Sequence, residues 1–164
     1  MGRIHALRVP PVAGLVVCIL LLGGGCGQEH GGYIAQLREG TAEQRTDAAA
    51  FLGAQRVSSA VPALRIALRD TVDEVRVKAV WALGMLRSKE ALSDLMLMLR
   101  DGNRRVRQTT AWTLTQIEEP EAIPALEVAF RVEKDSWVQE DLKRAIEYLK
   151  QFQGEAEVGE SRFR

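Results

Sequence analysis

The sequence predicts an all-α protein, a right-handed α-solenoid of about four stacked helix pairs, on three observations. First, residue types recur at a step of 31: Leu52, Leu83 and Leu114; Leu37, Leu68, Leu99 and Phe130; Arg38, Arg69, Arg100 and Arg131; Ala60, Ala91 and Ala122. Second, aromatic residues make up only 5% of the chain while Ala and Leu are frequent, which favours helices. Third, both cysteines, Cys18 and Cys26, precede the repeated region, so neither a disulfide nor a Cys-ligated metal can hold it together. Packing of helix on helix has to supply its stability.

The N-terminal residues stand apart from the repeat. Met1 to Arg8 carry two arginines and no acid, and Val12 to Leu22 is a nearly unbroken apolar run of 11 residues. A bilayer span needs about 20, so the run fits the core of an export signal occupying residues 1–25. It ends in Gly23-Gly24-Gly25-Cys26. Small residues before a cysteine at such a place resemble a bacterial lipoprotein signal. That resemblance implies lipidation at Cys26 and an exported, membrane-anchored protein of the cell envelope. Gly23 stands where that family usually has Leu, so a plain cleaved signal or an uncleaved anchor remains open. Residues 26–32 read as the lipidated cysteine and a short Gly-rich linker.

The repeat domain is expected over 33–153. Tyr33–Gln55 forms a truncated first unit. The first helices of the later units fall near Ala60–Arg69, Ala91–Arg100 and Ala122–Arg131, with Pro62 and Pro124 in the first turn, where a missing N–H is harmless. The second helices fall near Glu43–Leu52, Glu74–Leu86, Arg104–Ile117 and Trp137–Phe152, with Asp70 and Asp101 in the intervening turns. Val75, Ala79, Leu83 and Leu86 make one apolar stripe at helical spacing. The last unit carries one inserted residue, so that Val138 follows Val75 and Val106. Residues 154–164 read as a flexible tail. One such unit cannot bury its stripe alone, and stacking completes the core.

The pattern is similar to the HEAT-like repeat family, in the short form also seen in bilin lyases; its most specific piece runs from Asp70 through Arg76, Ala79 and Trp81 to Gly84. In that family a turn Asp and an Arg six residues later form a hydrogen-bond ladder. The resemblance therefore implies pairs Asp70 with Arg76 and Asp101 with Arg107, Glu39 with Arg45 as a near match, and a departure in the last unit at Val132 and Gln139. Gly53 and Gly84 are read as permitting close helix approach.

Little in the repeat region suggests catalysis. His5 and His30 both precede it, which argues against a metal or imidazole centre there. No phosphate loop or nucleophile elbow occurs, and no cofactor is expected. Only Arg3 and Arg8 precede Cys26, so 20 of the 22 basic residues and all 22 acidic ones follow it, a net charge of −2. That is not the field of a nucleic-acid binder. Arg104, Arg105 and Arg107, with Arg100 nearby, read as a solvated turn or as a contact for an acidic partner or anionic lipid.

The binding candidates lie on the second helices. Ala50, Trp81, Trp112 and Arg144 are equivalent positions. At about 100° per residue Trp81 falls well away from the apolar stripe, with Val77, Lys78 and Met85 on its side. Gln108 and Gln116 flank Trp112. In HEAT-like solenoids the second helices line the concave face, so these residues would form an inner strip for a protein or peptide partner. The competing reading is that the two indoles only pack between adjacent helices. The expected function is a non-enzymatic, membrane-tethered adaptor. The alternatives are a bilin-lyase-type enzyme or enzyme accessory, and a purely structural envelope component.

Overall fold

In the computed structural model the backbone of residues 26–161 and the side chains of residues 30–153 are described. The expected export segment lies outside them, as does the side chain of Cys26. Among the described residues there are eight α-helices and no strand. They are α1 (Cys26–Glu39), α2 (Ala42–Ala54), α3 (Val61–Ala67), α4 (Asp73–Met85), α5 (Leu92–Met98), α6 (Arg104–Ile117), α7 (Ile123–Val132) and α8 (Ser136–Ser161). Single 3₁₀ turns at Ser58–Ala60, Lys89–Ala91 and Pro120–Ala122 lead into α3, α5 and α7.

The local chemistry explains the boundaries. Thr41 caps α2 in a capping box, its hydroxyl accepting from the Gln44 amide while the Gln44 side chain accepts from the Thr41 amide. Asn103 caps α6 through its side chain. The second helices end on Arg56, Arg87 and Glu118, again 31 apart, all left-handed with φ of 51°, 47° and 60°. Behind Arg56 and Arg87 the chain closes a Schellman pair: Val57 and Ser88 amides reach back to Leu52 and Leu83 carbonyls. This hard reversal keeps the connection to the next unit short.

Two expected boundaries differ. The linker expected over 26–32 is helical, forming the start of α1. Gly27, Gly31 and Gly32 lower helix propensity by about 1 kcal/mol each, but Tyr33, Ile34 and Leu37 anchor the rest of the helix against the core. The tail is helical to Ser161, because the formers in 150–158 extend α8 past Gly154.

The helices form two layers. The second helices α2, α4, α6 and α8 pack in order along their lengths, and each first helix packs on the second helix of its own unit. One apolar core runs the length of the stack. Leu52, Leu64, Leu83, Leu95, Leu114, Leu126, Leu142 and Leu149 are fully buried in it. Successive first helices touch far less, and clefts of about 640 and 410 Å³ open between them. The second-helix layer is the tighter one, so any curve in the stack closes toward it.

Candidate functional site

What fixes the step from one second helix to the next is a ladder of arginines. Arg45 Nε and Nη2 donate to the Asp70 carboxylate at 2.7 and 2.9 Å. Arg76 makes the same fork to Asp101 at 2.8 and 2.9 Å, and Arg107 to Glu133 at 2.6 and 3.0 Å. The third nitrogen, Nη1, donates to a backbone carbonyl of the arginine's own turn: Gly40, Asp70 and Asp101 respectively. The carboxylates also accept from the amides of Val72, Asn103 and Asp135.

This corrects the expected pairing. Asp70 does not bind Arg76 through its side chain, nor Asp101 Arg107; only the backbone carbonyl of each does. The carboxylates belong to the arginine of the preceding unit, about 25 residues earlier. Gly40 rather than Glu39 serves Arg45. In the last unit Glu133, not Val132, supplies the carboxylate, and Gln139 replaces the arginine by donating to the Glu133 carbonyl at 2.8 Å. Fork geometry with burial makes such links strong and directional. The Arg45 hydrogen bond, helped by the Val72 amide, holds the Asp70 carboxyl below the usual range against the cost of burial. At Glu133, burial raises the pKa, but Arg107 and the Asp135 and Lys134 amides outweigh it, and the net shift is downward.

On this frame sits the tryptophan strip. Trp81 is half-buried and Trp112 is 38% exposed. Each ring edge rests on a glycine of the preceding second helix. A Cβ at Gly53 would lie 3.0 Å from the Trp81 ring and 2.6 Å from the Ala82 backbone. A Cβ at Gly84 would lie 3.2 Å from the Trp112 ring and 3.0 Å from Thr113 Oγ1. The indoles therefore pack between helices and remain partly open to solvent.

At the third junction the arrangement changes. The glycine position becomes Thr115 and the tryptophan position becomes Arg144. Between α6 and α8 a slot of about 380 Å³ remains, lined by Gln108, Ala111, Trp112, Thr115, Asp141, Arg144, Ala145 and Tyr148. Gln108 Nε2 donates to Asp141 Oδ2 at 2.9 Å, Arg144 Nε to Glu140 Oε1 at 3.1 Å, and the Tyr148 hydroxyl to Glu118 Oε1 at 3.2 Å. An aromatic wall with a few fixed polar groups is the usual make-up of a small binding cleft.

The candidate residues thus divide. Trp112, Gln108 and Arg144 come together at the slot. Trp81, Lys78, Met85 and Gln116 are partly exposed on the second helices, with Lys78 Nζ 3.9 Å from Glu74. Val77 is a correction: it is 6% exposed and belongs to the core. A helix in mid-stack is covered by α2, α3 and α6 at once, so its buried arc is far wider than one stripe. The basic cluster is also largely spent within the protein. Arg104, Arg105 and Arg107 are paired with Asp135, Glu74 and Glu133. Thr115, Asp141 and Tyr148 were missed, although Thr115 at the glycine position and Tyr148 one turn beyond Arg144 were available signals.

Among the described residues no group of three His, Cys, Asp or Glu side chains is placed to hold a metal ion, and no helix is long and apolar enough to cross a membrane.

Comparison with known proteins agrees on architecture. The family model for HEAT repeats matches residues 33–101 and 61–147. Among solved structures, the chain is similar to the complex of CpcE and CpcF of phycocyanin lyase from Nostoc sp., with a TM-score of 0.60, 24% identity, and coverage of 87% of this chain and 71% of that one. It is also similar to an engineered protein, with a TM-score of 0.56, 23% identity, and coverage of 73% and 62%. No curated protein sequence matches.

Proposed function

The chain belongs to the HEAT repeat family, and from that footing we propose that it is a non-enzymatic scaffold holding a protein or peptide partner on its second-helix face. The observation that carries this reading is the strip of half-open indoles ending in the Trp112–Tyr148 slot. Trp and Arg at such a place are favoured anchors. The strip is Trp81, Trp112 and Arg144, with Lys78, Met85, Gln108 and Gln116 around it, and the slot would receive one apolar side chain of the partner. The test is affinity capture with the full chain from its own membranes and lysate, in parallel with Trp112→Ala. A specific partner lost from the variant, with its melting transition retained, supports the reading. A partner held equally by both removes this face from consideration.

The finer part of the reading is membrane tethering. It rests on the apolar run Val12–Leu22 and on the Gly residues before Cys26. Cys26→Ser should leave an unprocessed form and shift mature protein out of the membrane fraction; unchanged processing and attachment would remove the lipoprotein assignment.

A second reading is favoured by the fold shared with the lyase complex: an accessory to a chromophore-attaching enzyme. Adding a linear tetrapyrrole separates the two, since a chromophore carrier would change its absorbance and a peptide scaffold would not.

A further inference from the structure

The other layer carries a surface that the scaffold reading does not use. In each full unit three exposed positions recur at i, i+4 and i+7, two on the first helix and an arginine at its C-terminal end, just beyond the helix in α3 and α5. They are Pro62, Ile66 and Arg69; Ser93, Leu97 and Arg100; Pro124, Val128 and Arg131. Ile66 is 65% exposed, Leu97 61% and Val128 39%. All are 31 apart, so the aliphatic residues form one row across the layer and the arginines another, a turn away. Arg38 of α1 extends the arginine row. Scattered exposed aliphatics need no explanation, but a row repeated at every unit does.

The arginines lack direct ion-pair partners, although Arg131 lies close enough to Glu127 to add to the lowering of its pKa by Lys150. Among the described residues Arg38, Arg69, Arg100 and Arg131 make no ion pair. The nearby carboxylates are occupied elsewhere. Asp70, Asp101 and Glu133 are held by the ladder, Asp94 by Arg65, and Glu127 by Lys150. Glu39, next to Arg38 at the end of α1, makes no ion pair among the described residues. Cations at helix C-termini suit the helix dipole, which accounts for their placement. The dipole does not account for the aliphatic row beside them, nor for the clefts between the helices, where Ile66 and Arg69 line one and Leu97, Arg100 and Val128 another.

We infer that the first-helix face docks an acidic, extended protein segment that crosses the helices. Charge complementarity sets its sign. Its period follows from the step between units: the second helices pack at about 8–10 Å, the first helices stand somewhat further apart across their clefts, and a polyproline-II chain advances about 9.3 Å every three residues while returning to the same side. A segment repeating apolar–Pro–acidic would place one apolar side chain by each cleft and one carboxylate by each arginine. Such a segment needs no exposed strand edge and is already extended when free, which lowers its ordering cost. This surface is independent of the indole strip on the opposite layer.

The experiment uses the full chain and the peptide acetyl-(Leu-Pro-Glu)4-amide, followed by calorimetry or anisotropy over a salt series. The expected result is binding that weakens with salt and is absent for (Leu-Pro-Lys)4. Arg69→Glu with Arg100→Glu should weaken it by about tenfold or more, since each exposed pair is worth up to ~1 kcal/mol and is here inverted. Ile66→Ser with Leu97→Ser should weaken it comparably. All four positions are exposed, so circular dichroism should show unchanged folding, and Trp112→Ala should bind as the parent does. Equal binding by the charge-reversed variant, or none to the acidic peptide by the folded parent, overturns the proposal. So does binding to phosphatidylglycerol vesicles that is lost in the charge-reversed variant while the peptide fails to bind, because the row would then be a membrane contact.

Discussion

The α4–α6 junction and the α6–α8 junction are built from the same parts list with two changes, and the changes alter what the surface can do. At the first, Gly84 admits the Trp112 ring and Arg76 forks onto Asp101. At the second, Arg107 makes the same fork onto Glu133, but Thr115 and Arg144 leave an open slot. The earlier junction spends its aromatic side chain on closing the stack. The later one has no such closing ring, and the other face of Trp112, with Tyr148, lines an open slot.

Four outcomes would sharpen or break that contrast. The largest effect is expected from Arg76→Gln, which gives the middle of the stack the residue found at its end. It leaves the Asp101 carboxylate, 9% exposed, without its guanidinium. A loss of about 3 kcal/mol in urea melts is expected, the lower part of the range for breaking a buried pair; a loss below about 1 kcal/mol, the surface-pair range, would show that the ladder does not fix the helix step.

Next comes Gly53→Ala. Its Cβ would meet the Ala82 backbone at 2.6 Å. Overpacking costs about 1–3 kcal/mol and better helix propensity returns up to about 1, so a net loss near 2 kcal/mol is expected. Thr115→Ala, at the same position in the open junction, should change stability by less than about 0.5 kcal/mol. Equal effects in the two would mean the junctions are not different.

A smaller change in stability, with a decisive functional readout, is expected from Thr115→Gly combined with Arg144→Trp. The pair should close the slot as Gly84 and Trp112 close the junction before it. Burial of the new ring should raise the melting midpoint modestly, offset by about 1 kcal/mol for a helical glycine, while partner capture is lost. Retained capture would separate the slot from binding.

The last outcome concerns acid. Folded Asp70 and Glu133 have lowered pKa values, so the unfolded chain binds their protons more readily. Their contribution is complete above the ordinary carboxylate range, roughly pH 5, and is lost as pH falls through about 4 and below. Melting midpoints from pH 7 to 3 should show this fall, and Gln at either position should flatten it.

Much of this was legible from one number. The step of 31 gave the helices, the layers and the glycine contacts, because each repeats a local environment. The ladder's partners were not legible: Arg76 stands six residues after Asp70 and 25 before Asp101, and spacing alone does not say which one its guanidinium faces. The inserted residue moved Glu133 one place from the register and hid it behind Val132. Val77 was misplaced because a helical wheel assumes one buried side, whereas α4 has neighbours on three. The slot was legible only in part: Gln108, Trp112 and Arg144 were expected on this face, but not the opening left where Thr115 and Arg144 replace the glycine and the tryptophan.

The ladder also has a direction. Each arginine reaches forward to the next unit, so every junction is heterologous, head to tail, and nothing in such a contact closes on itself. On α8, Glu140, Lys143 and Glu147 share one exposed face, while Arg144 lines the slot against α6, and a charged face is a poor seat for another helix pair. At Gln139 the forward-reaching fork is absent: its side chain donates back to the Glu133 carbonyl of its own unit, so among the described residues the ladder's direction is carried by Arg45, Arg76 and Arg107 alone.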